Sequence, residues 1–179
     1  YAGWSLVIVY QQATQPLRNL NVFNGFAAVS AGNPAVTMTI SGFVAPQTGP
    51  VRTYLGVVAY EGDKSSGGDQ FQGDQFLLNT TAVSNTLNPV NDFFNSTISN
   101  LNATVTTKNP NYVNQLGFDI DIIDASGIIP NGASSATVNL STGGETYYPG
   151  VVTTAIDLYS PDIQATKTAL DVNGGVAEP

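Results

Sequence analysis

YLGVVAYEGDKSSGGDQFQGDQF, residues Tyr54–Phe76, sets how the rest of the chain is read. Leu55–Tyr60 is an apolar run of strand length that leads straight into a glycine-containing turn carrying Glu61, Asp63, Asp69 and Asp74. A short apolar run leading into a glycine-rich turn reads as a buried strand, because a helix of that length could not hold itself together. Phe76–Leu78 then leaves the turn as a second, short strand. Nowhere else are so many oxygen ligands gathered on so short a loop.

The same unit, an extended segment closed by a turn signal, repeats in both directions. Towards the start, YAGWSLVIVY (Tyr1–Tyr10) is almost wholly apolar and is expected to be a strand buried on both faces, with Trp4 inside it. After the polar loop Gln11–Pro16, Leu17–Phe26 alternates, with Leu20 and Val22 on one face and Asn21 and Phe23 on the other; Phe26–Val29 continues it past a bulge. Ala35–Val44 sets Val36, Met38 and Ile40 against Thr37, Thr39 and Ser41, the pattern of a half-buried strand.

Towards the end, Asn91 or Asp92 is placed to cap a short helical turn that tucks Phe93 and Phe94 into the core. Asn100–Thr107 has the composition of an edge strand. Gln115–Ile123 is expected as a strand with Phe118, Ile120 and Ile122 inward, which puts Asp119 and Asp121 together on the opposite face, about 7 Å apart. Pro130-Asn131-Gly132 is a turn, Ala133–Leu140 alternates Ala136, Val138 and Leu140 with polar residues, and Gly143-Gly144 turns the chain into the strand Tyr147–Tyr159.

Roughly eight to ten strands, with turn signals between them and no amphipathic helix, specify an all-β fold, a jelly-roll or Greek-key-like β-sandwich. Residues 1–160 make up this domain. Pro161–Pro179 differs in character and reads as a linker followed by a strand-like tail, either the first strand of a following repeat domain or a strand donated to a neighbour. The chain opens in mid-strand pattern and is read as a mature or excised piece of a longer precursor.

Only 10% of the 179 residues are charged, although 42% are hydrophobic, so the polar surface is built from Asn, Thr, Ser, Gln and Gly. That balance fits a secreted or surface protein better than a cytosolic enzyme. Net charge is −8, and Arg18, Arg52, Lys64, Lys108 and Lys167 are scattered, which argues against nucleic acid as a partner. No apolar run is long enough for a membrane span.

The chain has neither His nor Cys, so Ser-His-Asp and Cys-His catalysis and ordinary zinc sites lack their residues. Asp119 and Asp121 are the remaining acid pair, but a retaining glycosidase sets its carboxyls about 5–5.5 Å apart across a sugar cleft. The chain is therefore expected to be non-enzymatic. Calcium takes six to eight oxygens from carboxylates, amides and carbonyls, and Glu61, Asp63, Asp69 and Asp74 offer them on a loop that matches no EF-hand. The other reading of that loop is a solvated acidic turn partly neutralised by Lys64.

Asn79-Thr80-Thr81, Asn95-Ser96-Thr97, Asn102-Ala103-Thr104 and Asn139-Leu140-Ser141 match the N-glycosylation pattern, which an Asn/Thr-rich chain also produces by chance. Lys108 and Lys167 are the lysines available for an intramolecular Lys–Asn bond; a free solvated lysine is the simpler reading.

YAGWSLVIVY with LRNLNVFNGF, AYEGD with GGDQF, NPVNDFFNSTIS, GFDIDIID and STGGETYYPGVVTTAIDLYSPDI together resemble one domain of large bacterial and archaeal cell-surface proteins. In those proteins the domain precedes tandem conserved-repeat, Ig-like β-sandwich domains, and TKTALDVNGGVAEP resembles the opening strand of such a repeat. The likeness covers most of the chain. It implies an extracellular, multi-domain surface protein whose partners are neighbouring domains or copies of itself, and it brings no catalytic or ligand residues with it. The expected function is a structural or adhesive module of a surface protein or fibre. The alternative is a calcium-dependent carbohydrate-binding module, with Tyr54, Tyr60, Tyr147 and Tyr148 as the aromatics able to stack on glycans.

Overall fold

Alternating and apolar segments separated by Gly, Asn and Pro turns give strands, and strands with one apolar face must pair that face with another layer. A computed structural model of the chain describes residues 3–64, 73–161 and 163–168. Within them lie β1 (Arg18–Asn24), β2 (Val29–Ser30), β3 (Val36–Ser41), β4 (Thr53–Tyr60), β5 (Gln75–Leu78), β6 (Thr81–Ala82), β7 (Ile98–Asn100), β8 (Ala103–Thr104), β9 (Phe118–Asp124), β10 (Ser135–Ser141) and β11 (Thr146–Asp157). The fold is all-β, with no helix among the described residues, and so none long and apolar enough to cross a membrane.

The strands form two sheets. The larger runs β1-β11-β4-β9-β7-β8, with β2 also on β11; the smaller runs β3-β10-β5-β6. Their facing sides supply one core, from Leu55, Val57, Ala59, Ile123, Val152 and Ile156 on the larger sheet and Ile40, Phe76, Leu78, Ala136, Val138 and Leu140 on the smaller. The parity expected for Ala35–Val44 and Ala133–Leu140 is the parity observed. β4 is buried along most of its length because both its faces are covered. Val58 and Tyr60 pack on the outer side with Val151, Phe118, Ile120 and Tyr148. β11 carries Pro149 beside β4, and the register shifts between Pro149 and Val151, a bulge that accommodates a residue with no N–H to give.

The first and last strands are neighbours, paired from Arg18 opposite Asp157 to Asn24 opposite Val151. Asp157 closes that end of the sheet by accepting from Arg18 Nε at 2.9 Å and from Arg52 Nε at 2.9 Å. Asp157 is nearly buried, whereas Arg52 is half-exposed and its pairing is weakened by solvent. Asp157→Asn is therefore expected to lower the unfolding free energy by about 1–2 kcal/mol, read as a shift in the urea midpoint at constant slope.

Four expectations are overturned. The segment Gly3–Tyr10 belongs to neither sheet and lies exposed, Trp4 at 99%, so its apolar character does not give it a place in the core. Phe93 and Phe94 are buried as foreseen, but without a helical turn. Asn85 Oδ1 accepts from the Leu87 and Asn88 amides, and Asn95 Nδ2 donates to the Leu87 and Asp92 carbonyls, so side-chain amides fold the loop instead. β9 faces the opposite way: Asp119, Asp121 and Ile123 point inward, while Phe118, Ile120 and Ile122 lie on the outer face. The register enforces this, since Ile123 sits opposite Leu55 and Asp121 opposite Val57, both core residues. The acidic turn, finally, is not wholly outside the core, because Asp74 is fully buried. Of the tail, Pro161 and residues 163–168 are exposed and lie outside both sheets; Asp162 and residues 169–179 fall outside the described residues, and with them the expected strand.

Candidate functional site

The inverted parity of β9 turns two carboxylates, Asp119 and Asp121, inward and buries them. β7 runs parallel to β9 and sets Ser99 beside Asp121. Ser99 Oγ lies 2.6 Å from Asp121 Oδ1 and 3.1 Å from Asn88 Oδ1. Asp119 Oδ1 accepts from the Thr97 amide at 3.0 Å. The loop that supplies Asn88 and Thr97 covers both acids, and it bridges to Asp74 at the entry to β5, where Asp74 Oδ2 accepts from the Phe94 amide at 3.1 Å.

Burial pushes these groups up. Asp121 rises to about 6, chiefly by desolvation, against hydrogen bonds from Ser99 that pull it down. Desolvation and then the charge of Asp121 raise Asp119 well above the ordinary carboxylate range. Asp74 is raised to about 6 by desolvation, and Glu145, just before β11, to about 9 by desolvation and by its contact with Asp74. Asp74 Oδ1 and Glu145 Oε1 are both buried acceptors without a donor. A proton held between the two carboxyls supplies one, so the pair titrates as a unit and keeps a proton through neutral pH. Ser99 Oγ donates to Asp121 Oδ1, with Asn88 Oδ1 as the other acceptor within its reach.

The glycine after β4 is part of the site. Gly62 is buried, its carbonyl accepts from Ser96 Oγ at 2.5 Å, and Ser96 Oγ accepts from the Gly117 amide at 2.7 Å. A Cβ on Gly62 would run into Asp119 Oδ2 and come within 2.5 Å of the Phe94 carbonyl. Gly62→Ala is expected to destabilise the chain by about 1–3 kcal/mol through overpacking against backbone. Gly25→Ala, which meets nothing within 4 Å, is the control.

The four residues expected to hold calcium are dispersed in role. Glu61 is half-buried, with φ of 69° and its amide donating to the Gly117 carbonyl at 2.6 Å. Asp63 is exposed, and its backbone amide donates to Glu145. Asp74 is buried against Glu145. Asp69 lies outside the described residues. Among the described residues no group of three or more acidic side chains is disposed to hold a metal ion. Sequence reasoning missed Glu145, whose only signal is its place after Gly143-Gly144, and it took Asp119 and Asp121 for a solvent-facing pair.

The other sequence signals are also placed. Tyr147 is fully buried and Tyr60 nearly so; Tyr54 lies under the Arg18 guanidinium at 5.4 Å, and Tyr148 stacks on Phe26 at 5.3 Å. Asn95 is buried with its amide donating twice, Asn79 and Asn139 tie neighbouring strands together, and Asn102 is exposed. Lys108 Nζ donates to the Val105 carbonyl at 2.9 Å and to Asn111 Oδ1 at 3.2 Å, and Lys167 is exposed. Comparison with protein-family models, with curated proteins and with solved structures finds no match to this chain.

Proposed function

We propose that this chain is a non-enzymatic structural or adhesive module of an extracellular surface protein or fibre, joined to neighbouring domains or to copies of itself. One observation carries the reading: the reactive groups are turned inward and the apolar surface is turned outward. Asp74, Asp119 and Asp121 have essentially no exposed surface, so no polymeric substrate can reach them. Large apolar side chains crowd instead onto the segment Trp4–Tyr10 and the outer face of the larger sheet. Concentrated exposed apolar surface of this kind marks an interaction surface. The low charge of the chain and its likeness to a domain of cell-surface proteins support the same reading.

Electron microscopy of the native surface material tests it: fibres or layers with a repeat of this domain's size are expected. Dispersed monomers that bind a glycan array only with calcium would overturn it in favour of a carbohydrate-binding module. The acidic turn is decided separately. A melting midpoint raised by calcium and restored by chelator assigns it a cation, and an unchanged midpoint leaves it a solvated turn. Deleting residues 161–179 tests donation by the tail, since assemblies that persist unchanged exclude it.

A further inference from the structure

The outer face of the larger sheet is apolar where a solvated face would alternate with polar residues. Leu20 and Val22 of β1 and Ile122 of β9 are each close to half-exposed there, beside Gly56, Thr153 and Ala155. A groove of about 810 Å³ runs along this face, and Val7–Tyr10 form one of its walls. That segment contacts the face without completing it: Leu6 is 84% exposed, Ile8 71% and Tyr10 74%. Gly3 rests against the Tyr60 ring, yet the segment joins no ladder, and β1 ends its sheet with one edge unpaired among the described strands. Among the described residues, one chain thus holds an apolar β-type segment with its backbone groups unpaired, and next to it an apolar face with an open edge.

We propose that Trp4–Tyr10 is a joining strand, and that its seat is β1 and the outer sheet face of a second copy of this chain. An extended segment added to an open edge gains main-chain hydrogen bonds, and its alternate side chains gain pockets. The two surfaces match in length and in apolar character, while the arrangement within one chain leaves both exposed. Charge favours a second copy as the occupant. Each chain carries −8, yet none of the groove-lining residues is acidic and Arg18 is the one charged residue among them. Two copies therefore meet there without the repulsion their other surfaces impose. An unpaired edge flanked by apolar side chains is otherwise a site of uncontrolled association.

The inference rests on the reading of the chain as a module of an assembled surface structure, and the test separates the two. The chain has no cysteine, so Ile8→Cys and Val22→Cys introduce single thiols. Mixing the two variants and oxidising gently is expected to give an Ile8–Val22 interchain disulfide, several-fold more of it than when Val90→Cys replaces Val22→Cys. Equal yields from the two mixtures, or a double variant that closes its disulfide within one chain, would overturn the proposal. As a second measurement, Leu6→Asp with Ile8→Asp changes side chains exposed enough to leave the folded body intact. It is expected to reduce the sedimenting species to monomer. If wild type and variant form the same fibres or layers, the joining strand is wrong and the structural reading stands. If wild type forms none, the structural reading itself has failed.

Discussion

In the presence of chelator, raising the pH from 5 to 8 is expected to lower the unfolding free energy of this chain steeply. Asp121 binds a proton up to about pH 6 when folded, and the Asp74–Glu145 pair gives up its two protons near pH 6 and near pH 9, against ordinary values of 3.8 for Asp and 4.5 for Glu. The folded state therefore holds more protons than the unfolded chain between pH 4 and each of these values, and stability falls as pH rises through that window. Each group contributes a slope of about 1.4 kcal/mol per pH unit while the folded form is protonated and the unfolded form is not. Asp121 and the first proton of the pair act together between pH 4 and 6, and the second proton of the pair extends the decline towards pH 9. Below pH 4 both states are protonated and the effect is complete. Thermal midpoints taken at pH 5, 6.5 and 8 check this, and a flat or rising series would contradict it. Glu145→Gln sharpens the test. Its amide permanently supplies the donor that Asp74 lacks, so the decline between pH 6 and 9 is expected to flatten. A cation at the acidic turn would act in the same direction by replacing the proton, which is why chelator is required.

Phe76→Ala is expected to be the most damaging single substitution in the core. Phe76 is fully buried and lies at the centre of an aromatic group, edge-on to Phe93 at 5.1 Å and tilted against Phe94 at 6.3 Å, with Phe94 against Tyr147 at 4.4 Å. These rings join β5 of the smaller sheet to the loop over the buried acids and to β11 of the larger sheet. Truncation removes a ring that two strands and a loop share, and none of them can collapse into the space independently. A loss of about 3–5 kcal/mol follows from large-to-small changes of this kind, a large part of the about 5–15 kcal/mol that holds a domain folded. Urea unfolding measures it, with Val22→Ala on the open outer face as the comparison, expected within about 0.5 kcal/mol of wild type. A loss under about 1 kcal/mol for Phe76→Ala would mean that the two sheets are not joined through these rings.

The two expectations differ in how far they were legible. Phe76 could be placed inside from its strand alone. Asp121 could not, because Phe118–Asp124 reads Phe-Asp-Ile-Asp-Ile-Ile-Asp, with apolar residues at 118, 120, 122 and 123. Parity cannot decide between the set 118/120/122 and the set 119/121/123, and three isoleucines and phenylalanines outvote one. The structure chose the minority set, because Ile123 aligns with Leu55 in the core and Phe118 and Ile120 find a second apolar cluster on the outer side. Trp4–Tyr10 failed for a related reason. An apolar run shows that water is unfavourable there but does not say which surface covers it, and within this chain the segment stays exposed.

Local chemistry in the sequence determined what each segment is: extended, broken by glycine, proline and asparagine, without a helix, and closed into two layers by alternating apolar faces. Those are properties of a few adjacent residues, and adjacent residues suffice to set them. Only the tertiary structure decided which strands lie side by side, which face of β9 turns inward, and that Glu145 meets Asp74 some seventy residues away. Pairing across such separations is fixed by the register of the whole sheet, and the protons that the buried acids keep are a consequence of that burial.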